Sequence, residues 1–230
     1  RRKSELGCGR VRAGGGLAER HSAAAVSHDQ GAMSMLSPSL LKAKFDQGLS
    51  YADYVATGTA AQQERWRRAE AEVRLTEAQR GLIGSFIRRI NMLVVSGVWC
   101  GDCVAQCPML AAIAAAAKPG VIDLRFVDRD EHLDLAEPLR ICGGLRVPTV
   151  LWLNEDFEFV SLLGDRTLSR YRAMAAKQLG AACPLPGAAT PPDEVAATLQ
   201  DWVDETERVH LLLALSPKLT ARHGSGVAAG

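Results

Sequence analysis

The sequence predicts an α/β fold with helical additions at both ends, and three observations point there. Between Met92 and Leu179, apolar runs and helical patterns follow the order strand–helix–strand–helix–strand–strand–helix. A Cys-x-x-Cys pair, Cys100 and Cys103, stands where the first of those strands gives way to the first helix. A proline cluster, Pro184, Pro186, Pro191 and Pro192, then separates this block from an amphipathic helix with Val195, Leu199, Trp202, Val209 and Leu213 on one face.

Composition narrows the function classes. The chain has 230 residues, enough to bury a full core, with 47% hydrophobic and 23% charged residues. A net charge of +1 gives no electrostatic case for nucleic acid or an anionic membrane. No apolar run approaches the ~20 residues that span a bilayer. Beside the basic Arg1-Arg2-Lys3, the only apolar piece is Ala23 to Val26, shorter than the ~7–15 residues of a secretory core. The expectation is a cytoplasmic protein. A reducing compartment argues against a structural disulfide framework, so the six cysteines are read one by one.

Residues 1–34 carry scattered charge and glycines (Gly7, Gly9, Gly14-Gly15-Gly16) and no periodicity, which predicts a disordered extension, with Met33 or Met35 the expected true start. Residues 35–90 read as a helical segment packed on the domain. A helix opens at Pro38, another around Tyr51 to Ala56 after Ser50, and a third over Thr59 to Leu75 with Trp66, Ala69 and Val73 in one stripe. Thr76-x-x-Gln79 fits a capping box for a helix carrying Leu82, Ile83, Phe86 and Ile87. Residues 91–180 form the central domain. Strand Met92–Ser96 leads to a helix over Gly101–Lys118, ended by Pro119-Gly120, and Val121–Val127 alternates as a strand. A short helix over Leu133–Arg140 reaches the turn at Gly143-Gly144. Thr149–Leu153 and Phe157–Leu163 make a hairpin around Asn154-Glu155-Asp156, and Thr167–Leu179 is a helix. Residues 181–192 are a linker, 193–215 the docked C-terminal helix, and 216–230 a loose tail. No internal repeat is present.

The chemistry concentrates at the Cys-x-x-Cys. A helix N-terminus offers unpaired N–H groups and the positive end of a dipole, and both favour a thiolate at Cys100. Cys103 lies one turn on and can close a disulfide with it. Cys100 is therefore the expected attacking thiolate and Cys103 the resolving thiol. Half of a zinc site is the bland alternative, but no second Cys-x-x-Cys or His-x-His spacing accompanies it. Cys107 falls on the same helical face as Cys103, and Cys100-x-x-Cys103-x-x-x-Cys107-Pro108 also echoes part of a ferredoxin cysteine run; a buried free thiol is the default. Cys142 reads as a packing residue near the double glycine. Cys8 and Cys183 sit in irregular segments. None of His21, His28, His132, His210 or His223 has a spacing that makes a Cys–His nucleophile. Asp102 beside Cys100 either disfavours the thiolate by its like charge or simply complements the helix dipole.

Trp99-Cys100-Gly101-Asp102-Cys103 with Pro108, Val147-Pro148-Thr149 ahead of an apolar strand, and Gly164 after the next strand together resemble the thioredoxin superfamily. The chain is most similar to bacterial thioredoxin-like proteins of the Trp-Cys-Gly-Asp-Cys type, over roughly Met92 to Leu179. The resemblance implies a thioredoxin fold, a central mixed β-sheet flanked by helices. It also implies a cis Pro148 beside the redox pair, against the alternative of a trans proline opening an edge strand. It places Trp99, Gly101, Val147, Pro148 and Thr149 at the active-site rim, and Cys100, Cys103 and Asp102 in catalysis. Thioredoxins carry Pro where Asp102 stands and a buried Asp in the preceding strand, whose place here falls at about Val94. Their companion lysine has no clear match, Arg125 being only nearby. Without that acid, Asp102 or water must accept the proton of the resolving cysteine, or turnover is slow.

The expected activity is that of a thiol–disulfide oxidoreductase acting as a disulfide reductase. No metal and no cofactor beyond the Cys100–Cys103 pair are expected. The partners would be a disulfide-bearing protein or small molecule and a reductant such as a thioredoxin reductase or glutathione system; neither nucleic acid nor membrane is expected, and the chain should be a monomer. Two rivals remain at this stage: a Cys-ligated Fe–S or zinc module using Cys100, Cys103, Cys107 and Cys142, and a thioredoxin-fold interaction protein with a vestigial motif.

Overall fold

In a computed structural model, residues 36–179 and 193–226 are described. The expected extension over 1–34, the proline linker, Cys8, Cys183, His21, His28 and both candidate start methionines lie outside them.

Four helices precede the sheet: α1 (Pro38–Gln47), α2 (Tyr51–Ala56), α3 (Ala60–Glu72) and α4 (Glu77–Gly84). Each begins where a Ser or Thr side chain accepts a backbone N–H: Ser37, Ser50, Thr59 and Thr76. Thr76 and Gln79 form the expected capping box, and Thr59 and Gln62 form a second one. Two ends differ from the sequence reading. α3 stops at Glu72 because Val73 turns extended, and α4 stops at Gly84 because the Ser85 hydroxyl donates to the Leu82 carbonyl at 2.6 Å. Phe86 then turns inward while Ile87 stays exposed.

The sheet is four-stranded, in the order β2-β1-β3-β4, built from β1 (Ile90–Ser96), β2 (Ile122–Asp128), β3 (Thr149–Leu153) and β4 (Phe159–Gly164). β1 runs parallel to β2 and antiparallel to β3, and β4 returns antiparallel to β3. The sheet is therefore mixed, as expected. All seven residues of β1 are buried, because helices cover both faces. α5 (Gly101–Ala116) makes the crossover from β1 to β2. After β2, α6 (Leu133–Ala136) runs into a single 3₁₀ turn, Glu137–Leu139, rather than one helix to Arg140. Pro138 at the start of that turn lacks the N–H that would continue α6.

On the face beside β2, Tyr54 of α2 stacks on Phe126 at 5.3 Å and meets Trp66 edge-on at 5.9 Å. α7 (Leu168–Leu179) and α8 (Glu194–Ala214) complete the domain. α8 buries Leu199, Trp202, Val209 and Leu213, with Val195 half-buried, and Trp202 lies 6.0 Å from Trp152 of β3.

The region after α8 overturns the expected loose tail. Pro217–His223 forms a helix, α9, with Ser216 as its cap and Leu219 buried. With a single buried residue in seven, the segment gave no periodic signal. Ion pairs hold the helix instead: Lys218 to Glu158 at 2.6 Å and Arg222 to Asp156 at 2.6 Å. The buried Arg88 also donates to the Gly224 carbonyl at 2.6 Å and pairs with Glu155 at 2.5 Å.

Candidate active site

β1 ends at Ser96 and the chain turns through Gly97 to Trp99. A Cβ on Gly97 would come within 2.7 Å of the Trp99 ring, so only glycine lets the indole fold over the backbone there. Trp99 is 43% exposed, with the Arg129 guanidinium 4.6 Å from its ring centre. Cys100 is the N-cap residue of α5, in extended backbone, with no side-chain cap bond of its own. Its thiol is free and half-buried, while Cys103, one turn inside, is free and fully buried.

The Val147–Pro148 peptide is cis. It lies against the pair: the Cys100 thiol donates to the Val147 carbonyl with Sγ and O 3.6 Å apart. Gly164 of β4 explains how this loop is seated, since a Cβ there would sit 2.7 Å from the Pro148 carbonyl oxygen. Thr149 was expected at the rim but is buried, its hydroxyl donating to the Arg146 carbonyl at 2.8 Å. It braces the proline loop and presents nothing to solvent. Gly101 is exposed, in open space at the first turn of α5.

The two thiols govern each other's ionisation. The neighbouring Cys103 thiol, followed by partial burial, pushes the Cys100 thiol up, while the backbone N–H groups of Cys103 and Asp102 pull it down. Burial pushes the Cys103 thiol well above its ordinary value. Two adjacent sulfurs cannot both carry charge cheaply. Of the two, Cys100 is the half-exposed one that backbone N–H groups meet, and a second charge on the pair is opposed.

Asp102 is where sequence reasoning missed most. Its Oδ1 accepts from Arg166 Nε at 3.0 Å and from Arg170 Nε and Nη2 at 3.0 and 2.9 Å, and its Oδ2 accepts from Arg166 Nη2 at 2.5 Å. Both oxygens are engaged by guanidinium groups. Arg166 also pairs with the buried Asp165, and Arg170 with Glu194 at the start of α8. Burial alone would raise the Asp165 carboxyl, but the Tyr171 hydroxyl at 2.5 Å and the Arg146 guanidinium hold it below its ordinary value. Gln106 of α5 donates to the Asp165 carbonyl at 3.0 Å. The first turn of α5 is thus clamped to the segment after β4. The signal in the sequence was two arginines four residues apart, Arg166 and Arg170, following Gly164-Asp165.

The four cysteines of the metal-site reading are not gathered. Cys142 is exposed, Cys103 and Cys107 are buried, and among the described residues no group of three or more His, Cys, Asp or Glu side chains is placed to hold a metal ion. No helix among the described residues is long and apolar enough to cross a membrane.

A family model, Thioredoxin_9, described as Thioredoxin, matches residues 48–177. The chain belongs to the thioredoxin family. That span runs from just before α2 to α7, so it takes in the helices ahead of the sheet as well as the Cys100–Cys103 segment. Among solved structures, this thioredoxin-family chain is similar to a protein of unknown function from Pseudomonas aeruginosa. The identity is 21% and the TM-score 0.55, covering 72% of this chain and 93% of that one. It is also similar to an HIV epitope scaffold, at 22% identity and a TM-score of 0.52, covering 74% of this chain and 95% of that one. Both likenesses concern the fold alone. No curated protein matches.

Proposed function

We propose that the chain is a thiol–disulfide oxidoreductase of the Trp-Cys-Gly-Asp-Cys type, working as a disulfide reductase. One observation carries the reading. A free, half-buried Cys100 caps α5 against the cis-proline loop, with a second free thiol, Cys103, buried one turn behind it. A nucleophilic cysteine needs partial access and hydrogen-bond donors for its thiolate, and a resolving cysteine needs shelter from outside thiols.

The cycle follows from that arrangement. The Cys100 thiolate attacks one sulfur of a substrate disulfide, forming a mixed disulfide and expelling the first thiolate. Cys103 then attacks Cys100 Sγ, the mixed bond breaks, and the second substrate thiol leaves. The oxidised Cys100–Cys103 pair is re-reduced by an external dithiol or thiol system, such as a thioredoxin reductase or glutathione. Trp99 and the Val147–Pro148 backbone would form the rim against which an extended substrate lies. The redox group is the cysteine pair itself, with no further cofactor. Reductase work suits a monomer in a reducing compartment such as the cytoplasm.

The test is reduction of insulin or a small aliphatic disulfide, with and without a thioredoxin reductase, by the wild-type protein and by Cys100→Ser. Turnover that vanishes in Cys100→Ser supports the proposal. Wild-type protein that reduces neither substrate with any reductant would sink it and leave an interaction domain with a vestigial motif.

A further inference from the structure

Trp99, the residue before Cys100, belongs to two surfaces. One is the rim around the nucleophile. The other is a groove of about 430 Å³, a volume within the range of about 300–1,000 Å³ usual for ligand pockets. Its apolar lining includes the exposed Leu49 and Trp99, the half-buried Val98 and the buried Phe126. Val98 is held in place by the Trp66 indole, which donates to its carbonyl at 2.9 Å. Leu49 is held by paired backbone bonds to Phe126, at 2.8 and 2.9 Å. The groove is therefore built on fixed backbone and adjoins the residue that attacks.

Its charged lining is acidic. Asp128, Asp130 and Glu131 come together where β2 gives way to α6. Asp130 is answered by Arg129, 2.7 Å away. The Asp128 carboxylate accepts the Asp130 backbone N–H at 2.8 Å, and neither Asp128 nor Glu131 has a cationic partner among the described residues. Lys44 touches the His132 ring at 3.3 Å but is paired with Asp134. Two uncompensated carboxylates thus share a groove with aliphatic and aromatic walls. The complement is a long side chain with an apolar stem and a cationic head, a lysine or an arginine. The chain as a whole carries +1, so its overall charge gives cations no advantage; any preference must be local.

We propose that this groove takes a lysine or arginine side chain of a substrate protein, close in sequence to the cysteine that Cys100 attacks. The inference rests on the reductase reading of Cys100 and Cys103 and names its substrate class: protein disulfides flanked by basic residues. An extended chain advances about 3.3–3.6 Å per residue, so a residue two or three positions from the attacked cysteine lies about 7–11 Å along the surface. A chain passing over Trp99 puts such a residue at the groove while its sulfur meets Cys100. A small disulfide without a cationic arm reaches Cys100 and leaves the groove unused. An acidic residue at the same position meets Asp128 and Glu131 and is disfavoured. Glu131 is exposed and Asp128 half-buried, so the discrimination is modest and sensitive to salt.

The test compares homodimeric peptide disulfides that differ at one position, two residues from the cysteine, which holds Lys, Gln or Glu. A further peptide carries its Lys far from the cysteine, and a small uncharged disulfide serves as a control. Reduced full-length protein is mixed with each substrate, the reaction is quenched with acid, and the released thiol is measured by chromatography. At low salt the Lys peptide should react about tenfold faster than the Glu peptide, with the Gln peptide between them and the distant Lys no better than Gln. Salt at about 0.5 M should narrow the ratio. The Asp128→Asn, Glu131→Gln double variant should bring the Lys-to-Glu ratio to near one, and Glu131→Lys should invert it. Each variant is read as a ratio between substrates, so a general loss of activity does not imitate the result. Equal rates for all the peptides with the wild type overturn the proposal, as does a Lys preference that survives in the double variant. A distant Lys as effective as the near one also overturns it, because the attraction would then act at long range and not through the groove. If the wild type reduces neither the peptides nor the small disulfide, the reductase reading fails and this inference falls with it.

Discussion

Asp102→Asn removes one negative charge from the first turn of the redox helix and leaves its shape. Two consequences can be worked out. The first is electrostatic. Charges about 6–8 Å apart interact by about 0.5–2.8 kcal/mol across effective dielectric constants of 20 to 80. That range corresponds to about 0.4–2 pH units on the Cys100 thiol. Arg166 and Arg170 lose a partner but keep Asp165 and Glu194, at 3.1 and 2.8 Å, so the exposed positive charge is partly recovered. The expected outcome is a Cys100 pKa lowered by about half to one pH unit. The second consequence is mechanical. The Asp102, Arg166 and Arg170 side chains are 17, 19 and 23% exposed. Breaking a fully buried pair costs about 3–5 kcal/mol; with this much solvent, and with other partners retained, about 2 kcal/mol is expected. In a chain of this size that lowers Tm by about 4–8 °C.

The assays are thiolate absorbance against pH, paired with the rate of Cys100 alkylation, and a thermal melt. An unchanged or raised Cys100 pKa would refute the electrostatic part, and an unchanged melt would refute the clamp. A third result would be as informative. Were Asp102 the base for Cys103, the Asn variant would slow resolution while Cys100 became more reactive. The occupied carboxylate predicts that resolution is not slowed. Asp102→Pro is a harsher version, because the helix tolerates proline in its first turn but the clamp is lost with the carboxylate.

Limiting iodoacetamide on the reduced protein should label Cys100 and the exposed Cys142 and spare the fully buried Cys103 and Cys107; mass spectrometry showing Cys103 labelled ahead of Cys100 would reverse their roles. Trp202→Ala should destabilise by about 3–5 kcal/mol, a fall in Tm on the order of 10 °C, because the indole is fully buried against Trp152; a loss under about 1 kcal/mol in a urea titration would mean that α8 does not dock as described. His210 accepts the Ile87 N–H at 3.0 Å, and burial followed by the Arg88 charge lowers its pKa from 6.5. The native state therefore resists a proton that the unfolded chain takes up, so stability is full above about pH 6.5 and is lost as pH falls through the folded value. His210→Gln keeps an acceptor for Ile87, and its urea midpoint should change less than the wild type's between pH 7.5 and about 5.5. Equal changes in both would exclude His210 as the cause.

The parts of this molecule that were legible in the sequence are those fixed by local chemistry or by period. Thr76-x-x-Gln79 capped a helix as read, Thr149–Leu153 emerged with the expected bounds, and Val147–Pro148 is cis. The apolar stripe of α8 is buried along Leu199, Trp202, Val209 and Leu213. What stayed hidden depends on partners far apart in the chain. Asp102 meets Arg166 and Arg170 more than sixty residues later, and α9 is held by charges on the β3–β4 turn. A charge carries no period, so neither pairing leaves a pattern until the fold brings its ends together.

These long-range pairings divide the redox helix into two sides with different physics. On the outer side, the acid next to Cys100 is neutralised by guanidinium groups, so it can fix the helix start without setting a bare charge beside the nucleophile. On the inner side, Cys103 is buried beside the Cys100 and Cys107 thiols and the Ser96 hydroxyl. A buried carboxylate there would itself need a partner, or would take up a proton and cease to be a base. Hydroxyls need neither. Val94, Phe126 and Trp66 are fully buried in the same core as Cys103. Asp102→Asn should therefore move the reactivity of Cys100 and the melting temperature together. If it moved neither readout, the pairing of Asp102 with Arg166 and Arg170 would have no part in fixing the start of α5.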